Sequence, residues 1–401
     1  MKRVMIGVVV CWVSATAVFG QQADIRIIKQ GGLRKGISVD GLAASGGMAS
    51  IFRKTLEGDL GRSGYFEVVP SGRGMFSVEG ACQDVGGTLA LGCKVRGLAD
   101  NRVYLEKNTR QGADTARYQA HILADEIIKA VLGKTGLAGT RIVFIGNIGG
   151  RKNLYVCDAD GQGVQQITRD GVPCLSPAWG RDATTVFYTS FVSGYPDVYR
   201  INLGNYSRTR LISFPGVNVG ADISPDGGRL ALTLSKDGNP DIYVVDAASR
   251  QATRVTRTRT CAEASPSWSP NGQQLVYVSN KARLPHLYVA SASGGAERRL
   301  TFKGSENVEP DWGTDGRIVY SSKRGGRYQL CLATAGGEGA QLTSDGYDHE
   351  DPSWAPDNRH VVYTRTGGYQ SSLYVFDTEE KTEVKLTGLG GNCYSASWSP
   401  R

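Results

Sequence analysis

The sequence lacks most of the motifs on which enzyme active sites are built. It contains no C-x-x-C pair, no phosphate-binding loop, no G-x-G-x-x-G motif and no G-x-S-x-G nucleophile elbow. It has only four histidines, and none stands at the spacing of a metal-ligand pair. We therefore expect no enzymatic activity, no catalytic residues, no metal and no cofactor. The histidines are expected on a helix surface and in loops or at strand edges: His121, His286, His349 and His360.

Long apolar runs are also scarce. The only one of note covers residues 4–18, follows Lys2 and Arg3, and is shorter than a membrane span requires. A basic start, an apolar run and the small-residue sequence Val18-Phe19-Gly20 are typical of a secretory signal peptide. We expect residues 1–20 to be a leader that is removed near Gly20. The mature protein is then exported and has no membrane-spanning segment.

What the sequence does contain is a repeat with a period of about 44 residues, which is typical of a β-propeller. Each unit has a short strand with a Trp position, then a turn such as Ser269-Pro270-Asn271-Gly272, then further β-rich runs. Proline presets the second turn position and glycine takes the left-handed one, so the turn has a physical cause. The Trp position is occupied by Trp179, Ile223, Trp268, Trp312, Trp354 and Trp398.

The Trp strands are offset from the rest of the repeat by one position. Six sets of second, third and fourth strands follow one another, but the first set, beginning at Ile142, has no Trp strand before it. The chain instead ends with such a strand, Ala396–Arg401, and nothing follows it. We predict that this C-terminal strand completes the first blade, which closes the ring and leaves no unpaired sheet edge there.

The residues before the repeat have a different pattern. Apolar residues recur at helical spacing in 46–61, and a second helix is expected to start after Asp114 as its N-cap and to end at Gly133. The predicted fold is therefore mainly β with an α+β part. Residues 21–136 form a small α/β domain, and residues 137–401 form a six-bladed β-propeller.

Acidic and amide residues gather in the loops that lead into the Trp strands. Such loops end beside the central channel, and function concentrates on loops held by a rigid scaffold. We expect a polar docking surface for a basic or amide-bearing loop of a partner. Turn chemistry and strand capping remain an equal alternative. The candidate residues are Asn218, Glu263, Glu306, Asn307, Glu309, His349, Glu350 and Asp351.

An export leader, a small α/β domain, six repeats with turns of the W-S-P-N-G kind and a terminal S-W-S-P together resemble the TolB family of the Gram-negative Tol–Pal system. The resemblance implies a non-enzymatic periplasmic adaptor that binds the peptidoglycan-associated lipoprotein Pal through channel-face loops. Such an adaptor supports outer-membrane integrity and cell division. It implies no nucleic-acid partner. It also implies that the N-terminal segment engages TolA of the inner-membrane complex through Ile25, Arg26, Ile27 and Ile28.

Two other functions remain open, a channel-face enzyme and a glycan-binding propeller of the cell envelope. An enzyme requires a convergent acid/base pair with shifted pKa values. A glycan binder requires exposed aromatic platforms, and the loops before the Trp strands offer only Tyr347 and Tyr394. The adaptor is therefore favoured.

Overall fold

The computed structural model describes residues 34–386 and 391–401. The predicted leader and the segment Ile25–Ile28 lie outside the described residues. Neither of the two helices described below has the length and hydrophobicity that a membrane-crossing helix needs.

The α/β domain consists of one mixed sheet covered by two helices. The sheet has the order β3-β1-β4-β5-β6, and β2 pairs with β4; the pairs β1–β3, β1–β4 and β2–β4 are parallel and the others antiparallel. Its core contains side chains of both helices that are fully buried, among them Phe52, Leu56 and Leu123. The elements are β1 (Lys35–Ser38), β2 (Leu42–Ser45), α1 (Gly47–Arg62), β3 (Phe66–Val68), β4 (Phe76–Val85), β5 (Thr88–Gly97), β6 (Val103–Gly112) and α2 (Ala116–Leu132).

The second helix ends as predicted but begins differently. Gly133 takes the left-handed conformation with φ 66° and donates its backbone N–H to Lys129 O, which is the expected C-cap. Asp114 is not the N-cap: it lies in a single 3-10 turn, Ala113–Thr115, that leads into the helix. Thr115 occupies the N-cap position and makes no side-chain capping bond.

Six four-stranded antiparallel blades follow, which confirms the predicted propeller. In each blade the Trp strand is innermost, and the next three strands of the chain lie successively further out. Blade 1 consists of β30 (Asn392–Trp398), β7 (Arg141–Ile148), β8 (Arg151–Asp158) and β9 (Gln165–Gln166). Blade 2 consists of β10 (Cys174–Trp179), β11 (Thr185–Ser190), β12 (Asp197–Asn202) and β13 (Arg208–Ile212). Blade 3 consists of β14 (Asn218–Ile223), β15 (Arg229–Leu234), β16 (Asp241–Asp246) and β17 (Ala252–Arg254). Blade 4 consists of β18 (Glu263–Trp268), β19 (Gln274–Ala282), β20 (Leu284–Ser291) and β21 (Glu297–Arg299). Blade 5 consists of β22 (Asn307–Trp312), β23 (Arg317–Arg324), β24 (Arg327–Thr334) and β25 (Gly337–Gln341). Blade 6 consists of β26 (Asp348–Trp354), β27 (His360–Gly367), β28 (Gln370–Asp377) and β29 (Thr382–Lys385).

The C-terminal strand closes the ring, as the offset of the repeat predicts. Strand β30 pairs with β7, with Trp398 opposite Ile142. The Trp398 indole Nε1 donates to Thr140 Oγ1 at 2.7 Å, and its backbone N donates to Ser353 Oγ of blade 6 at 3.2 Å. On the other side, Trp179 Nε1 of blade 2 donates to the Ser397 carbonyl at 3.0 Å. The last strand therefore bonds to both neighbouring inner strands as well as to its own blade.

The antiparallel order divides the connections between two faces of the propeller. Loops that precede the inner strands and hairpins between second and third strands open on one face, here called the entry face. Turns after the inner strands and turns between third and fourth strands open on the opposite face, here called the turn face. The entry face comprises residues 147–150, 167–173, 191–196, 213–217, 235–240, 255–262, 280–284, 300–306, 323–327, 342–347, 366–370 and 391.

The α/β domain packs on the turn face. Arg34 pairs with Glu380 in the turn between β28 and β29, and Arg117 donates to Asp160 at 2.7 Å in the turn between β8 and β9. These turns belong to blades 6 and 1, so the contacts place the α/β domain over one side of that face. The entry face is on the opposite side of the propeller from these contacts.

Candidate functional site

All six inner strands contain a bulge at the same position, three residues before the Trp position. The register with the second strand shifts there in every blade. A bulge re-aims a side chain, and a non-glycine residue with positive φ is uncommon. The bulge residues are Ser176 (φ 48°), Gly220 (69°), Ser265 (50°), Glu309 (53°), Asp351 (50°) and Ser395 (51°).

Two of these bulge residues form an acidic chain that joins blades 5, 6 and 1. Glu309 Oε2 accepts the backbone N–H of Asp351 at 2.7 Å, and Asp351 Oδ2 accepts the N–H of Ser395 at 3.1 Å and its hydroxyl at 2.9 Å. Burial and the nearby charge of Asp351 raise the pKa of the Glu309 carboxyl well above its usual range. Burial likewise raises the pKa of Asp351. These two residues therefore link neighbouring inner strands of blades 5, 6 and 1.

The four candidate residues at the start of the inner strands are completely buried. Asn218, Glu263, Asn307 and His349 are each 0% exposed. Asn218 Nδ2 donates to Phe214 O at 2.8 Å, and Asn307 Nδ2 donates to Lys303 O at 2.9 Å. These bonds tie each entry-face loop to the strand that follows it. Such contacts match the capping alternative, in which the side chains hold the loops in place.

Glu263 and His349 also make contacts inside their blades. Glu263 accepts the Ser279 hydroxyl at 2.8 Å and the Thr258 hydroxyl at 3.0 Å, and burial raises its pKa. The His349 ring stacks on Tyr363 with 5.3 Å between ring centroids. Burial lowers the pKa of His349, which favours the neutral imidazole.

The remaining two candidates are half-buried glutamates near the mouth of the channel. Glu306 accepts hydrogen bonds from Lys323 Nζ at 2.8 Å and from the Tyr328 hydroxyl at 2.5 Å. These hydrogen bonds lower the pKa of the Glu306 carboxyl. Glu350 accepts the Thr366 hydroxyl at 3.1 Å, and burial raises its pKa. Of the eight candidates, these two and the pair Glu309 and Asp351 keep some solvent exposure.

The most exposed side chains of the entry face come from segments that the sequence reasoning did not consider. Tyr369 and Tyr195, at the tips of the hairpins of blades 6 and 2, are 98% and 71% exposed. Within the described part of the propeller, the large exposed hydrophobic residues lie on the entry face, apart from Tyr206 and Val384. Clusters of exposed apolar side chains mark protein-interaction sites. The entry-face set, here called the apolar crown, is Ile148, Val192, Tyr195, Leu284, Phe302, Tyr347 and Tyr369.

The prediction that the histidines lie on surfaces and strand edges is wrong, because all four are buried. His121 contacts Asp59 Oδ2 at 2.6 Å, His360 contacts Asp357 Oδ2 at 2.6 Å, and His286 contacts the Asn307 amide at 2.8 Å. A polar partner offsets the cost of burying an imidazole. The exposed fractions are 2% for His121, 5% for His286, 0% for His349 and 3% for His360.

Among residues 34–386 and 391–401, one group has the proximity of metal ligands: His121, Asp158 and Asp160. Arg117 already lies 2.7 Å from Asp160 and 3.6 Å from Asp158. Burial lowers the pKa of His121, but its contacts with Asp158 and Asp59 outweigh this and raise the pKa to about 9. The carboxylates are therefore neutralised by protein cations, and the cluster is an ion-pair network between the α/β domain and blade 1.

The architecture is that of a β-propeller protein with an N-terminal α/β domain, and comparison with known proteins gives its family. The sequence profile of the TolB beta propeller domain matches residues 128–401. The chain belongs to the TolB family.

Individual relatives agree with this assignment. A protein TolB homolog of Chlorobium luteolum is 28% identical over 311 residues, which cover 71% of this chain and 70% of that protein. The Tol-Pal system protein TolB of Desulfosudis oleivorans is 30% identical over 183 residues, covering 46% and 42% of the two chains. The crystal structure of TolB from Acinetobacter baumannii superposes with a TM-score of 0.82 at 24% identity and covers 92% of this chain and 97% of that one. The structural match shows that the fold is shared.

Proposed function

We propose that this protein is a non-enzymatic, periplasmic adaptor of the Tol–Pal system that docks the peptidoglycan-associated lipoprotein Pal on its entry face. In this role it supports outer-membrane integrity and cell division. Membership of the TolB family, a relative named as a Tol-Pal system protein and the leader-like sequence of residues 1–20 support the proposal. The observation that carries it is the apolar crown on the face opposite the α/β domain.

The crown and the predicted site residues take different parts in this function. Exposed tyrosines supply large contact area at low entropic cost and are enriched in binding hot spots. Two of the buried candidates hold segments that carry crown residues: Asn307 bonds Lys303 O beside Phe302, and Asn218 bonds Pro196 O beside Tyr195 at 3.2 Å. Glu263 and His349 are buried inside their blades. The half-buried carboxyl groups of Glu306 and Glu350 offer hydrogen-bond acceptors at the channel mouth for a basic or amide-bearing loop of the partner. Glu309 and Asp351 link the inner strands of blades 5, 6 and 1.

A second contact with TolA through Ile25, Arg26, Ile27 and Ile28 is proposed from the family resemblance alone. Its test is independent of the propeller. Deleting residues 23–33 should abolish capture of TolA and leave capture of Pal unchanged. Retention of TolA by the deletion variant would refute this part of the proposal.

The docking proposal is tested by capture from detergent-solubilised cell envelopes, with Pal identified by mass spectrometry. The bait is the mature protein or a variant with Tyr347→Asp and Tyr369→Asp, two exposed residues of the entry face. Tyr206→Asp is the matched control, because Tyr206 is 55% exposed in the turn between β12 and β13 on the turn face. We expect the wild type and the control to retain Pal and the double variant to lose it. Equal retention by all three baits would refute docking on the entry face.

A glycan-binding propeller is the second candidate, because the hairpins of blades 2 and 6 expose two aromatic rings at their tips. Tyr195 and Tyr369 could each form a platform for a sugar ring. Titration with soluble peptidoglycan fragments separates the two functions. Fragment binding that Tyr369→Asp abolishes, together with no capture of Pal, would favour the glycan binder.

The enzyme alternative is supported by one observation, the raised pKa of the Glu309 and Asp351 carboxyls. Their oxygen atoms are hydrogen-bonded to N–H and hydroxyl groups of neighbouring inner strands, and burial is the first cause of both shifts. Structural groups in such positions show the same shifts. The adaptor therefore remains the proposed function.

A further inference from the structure

One sector of the entry face, on the loops around blade 4, carries four exposed cations. Arg257 and Arg259 lie in the loop before β18, Arg283 lies at the tip of the β19–β20 hairpin, and Lys303 lies in the loop before β22. We call these four residues the basic sector. None of them forms an ion pair with any other described residue. They are therefore available to an anionic ligand.

Two cations in the hairpin of the neighbouring blade 5 pair with carboxylates. Lys323 lies 2.8 Å from Glu306, and Arg327 lies 2.7 Å from Asp348. Of the acidic residues near the basic sector in sequence, Glu306 is the one that pairs with Lys323, and Glu263 is 0% exposed with oxygens that accept hydroxyl hydrogen bonds. The four side chains of the basic sector thus lack, among the described residues, the carboxylate partners that Lys323 and Arg327 have.

The three segments that carry the basic sector are neighbours. Asn280 Oδ1 accepts the backbone N–H of Ala262 at 2.9 Å, which joins the first loop to the hairpin. His286 of β20 contacts Asn307 of β22 at 2.8 Å, which joins the hairpin strand to the end of the third loop. The three segments are therefore joined side by side around blade 4.

The third loop is also held in place. Glu338 Oε1 accepts the backbone N–H groups of Phe302 and Lys303 at 2.6 Å and 2.7 Å. A loop fixed before binding loses less entropy when a ligand is bound. Phe302 is 66% exposed and Leu284 is 47% exposed, so the fixed surface combines cations with apolar anchors.

We propose that the basic sector binds an acidic polypeptide segment that carries a large apolar residue. Guanidinium groups bind carboxylates through paired hydrogen bonds, which suits Arg257, Arg259 and Arg283 to aspartate and glutamate side chains. An anionic polysaccharide would satisfy the cations but would leave Phe302 and Leu284 without an apolar partner. A protein segment satisfies both. Leu284 and Phe302 also belong to the apolar crown, but the test below uses no Pal and therefore does not depend on Pal docking.

The test uses a fluorescent peptide of twelve residues with six glutamates and two leucines, and fluorescence anisotropy as the readout. The variant is Arg257→Glu, Arg259→Glu, Arg283→Glu. The control is Arg110→Glu, Arg200→Glu, Arg250→Glu, which makes the same change in net charge at exposed positions outside the entry face. Circular dichroism establishes that both proteins are folded. A third protein, Phe302→Ala, removes only the apolar anchor.

We expect the first variant to bind the peptide at least tenfold more weakly than wild type at low salt, and the control to bind within about twofold of wild type. Phe302→Ala should weaken binding severalfold without changing its salt dependence. Equal weakening by the variant and the control would overturn the proposal, because it would show attraction to net charge alone. Binding of polyphosphate as tight as that of the peptide, or unchanged binding when the glutamates are replaced by glutamines, would also overturn it.

Discussion

Replacing Trp398 with alanine tests whether the C-terminal strand holds the propeller closed. Trp398 is 5% exposed, and its indole Nε1 donates to Thr140 Oγ1 at 2.7 Å. Truncating a buried tryptophan to alanine costs about 3–5 kcal/mol of unfolding free energy. With about 2.1 cal/mol/K of unfolding entropy per residue, a propeller of roughly 265 residues should melt about 7 °C lower for a loss of about 4 kcal/mol.

Truncation after Tyr394 is the stronger form of the same test. It removes the pairing of Ser397 and Trp398 with β7 and the bonds to blades 2 and 6, and it leaves an unpaired inner edge in blade 1. Differential scanning calorimetry of the wild type, Trp398→Ala and the truncated protein provides the readout. We expect a progressive fall in melting temperature and a broader transition for the truncated protein. A truncated protein that melts at the wild-type temperature would refute closure by the last strand.

Three further predictions concern stability. His121 has a pKa of about 9 in the folded protein, above its ordinary value of 6.5. Its stabilising contribution is therefore complete below about pH 6.5 and is lost as the pH rises through 9. Urea unfolding should show a loss of unfolding free energy between pH 7 and pH 9.5 that is smaller in His121→Gln. Ser265 has a φ of 50°, which a β-branched residue adopts at a cost. Ser265→Val should lower the free energy of unfolding by about 1–2 kcal/mol and Ser265→Gly should not lower it, as read from urea midpoints. Equal midpoints would show that the bulge is not strained. Arg359 lies 2.6 Å from the buried Asp377 and 4.8 Å over the Tyr65 ring of the α/β domain. Arg359→Ala should therefore lower the free energy of unfolding by about 3–5 kcal/mol and speed proteolysis near residues 133–140. Unchanged proteolysis would show that this contact does not anchor the domain.

The fold could be predicted because the repeat is regular and its turn chemistry is explicit. The recurrence of the Trp position fixed the number of blades, and the unpaired Trp strand at the C-terminus fixed the closure. The α/β domain was harder to predict. Strand β4, ten residues long, was missed because Gly80 interrupts it and polar residues follow Gly80. The short parallel strands β1 and β2 owe their existence to pairing with β4, which is a tertiary contact.

The starts of the inner strands could be predicted from the sequence, but the exposure of the candidate residues could not. Sequence spacing placed Asn218 and Glu263 at the starts of inner strands, yet spacing does not show whether a polar side chain faces solvent or caps its own loop. The exposed Tyr195 and Tyr369 were missed because they lie in hairpins rather than before Trp strands. A signal was present, since each follows a glycine in a turn: a large aromatic residue at a hairpin tip has no core to enter.

The buried histidines show the same limit. His121 was assigned to a helix surface because α2 was considered alone. The turn face of blade 1 covers that surface. There Asp158 contacts the His121 imidazole, and Asp160 pairs with Arg117. Only the packing of the α/β domain on the propeller shows that this side of α2 is an interface.

The central claim, that the entry face is the docking surface for Pal, is tested most directly by hydrogen–deuterium exchange. The mature protein is compared with and without an excess of the purified periplasmic domain of Pal from the same organism. We predict that binding slows exchange in residues 191–196, 342–347 and 366–370 and leaves the turn between β12 and β13 unchanged. Binding with protection confined to the turn face or to the α/β domain, or no binding at all, would contradict the account.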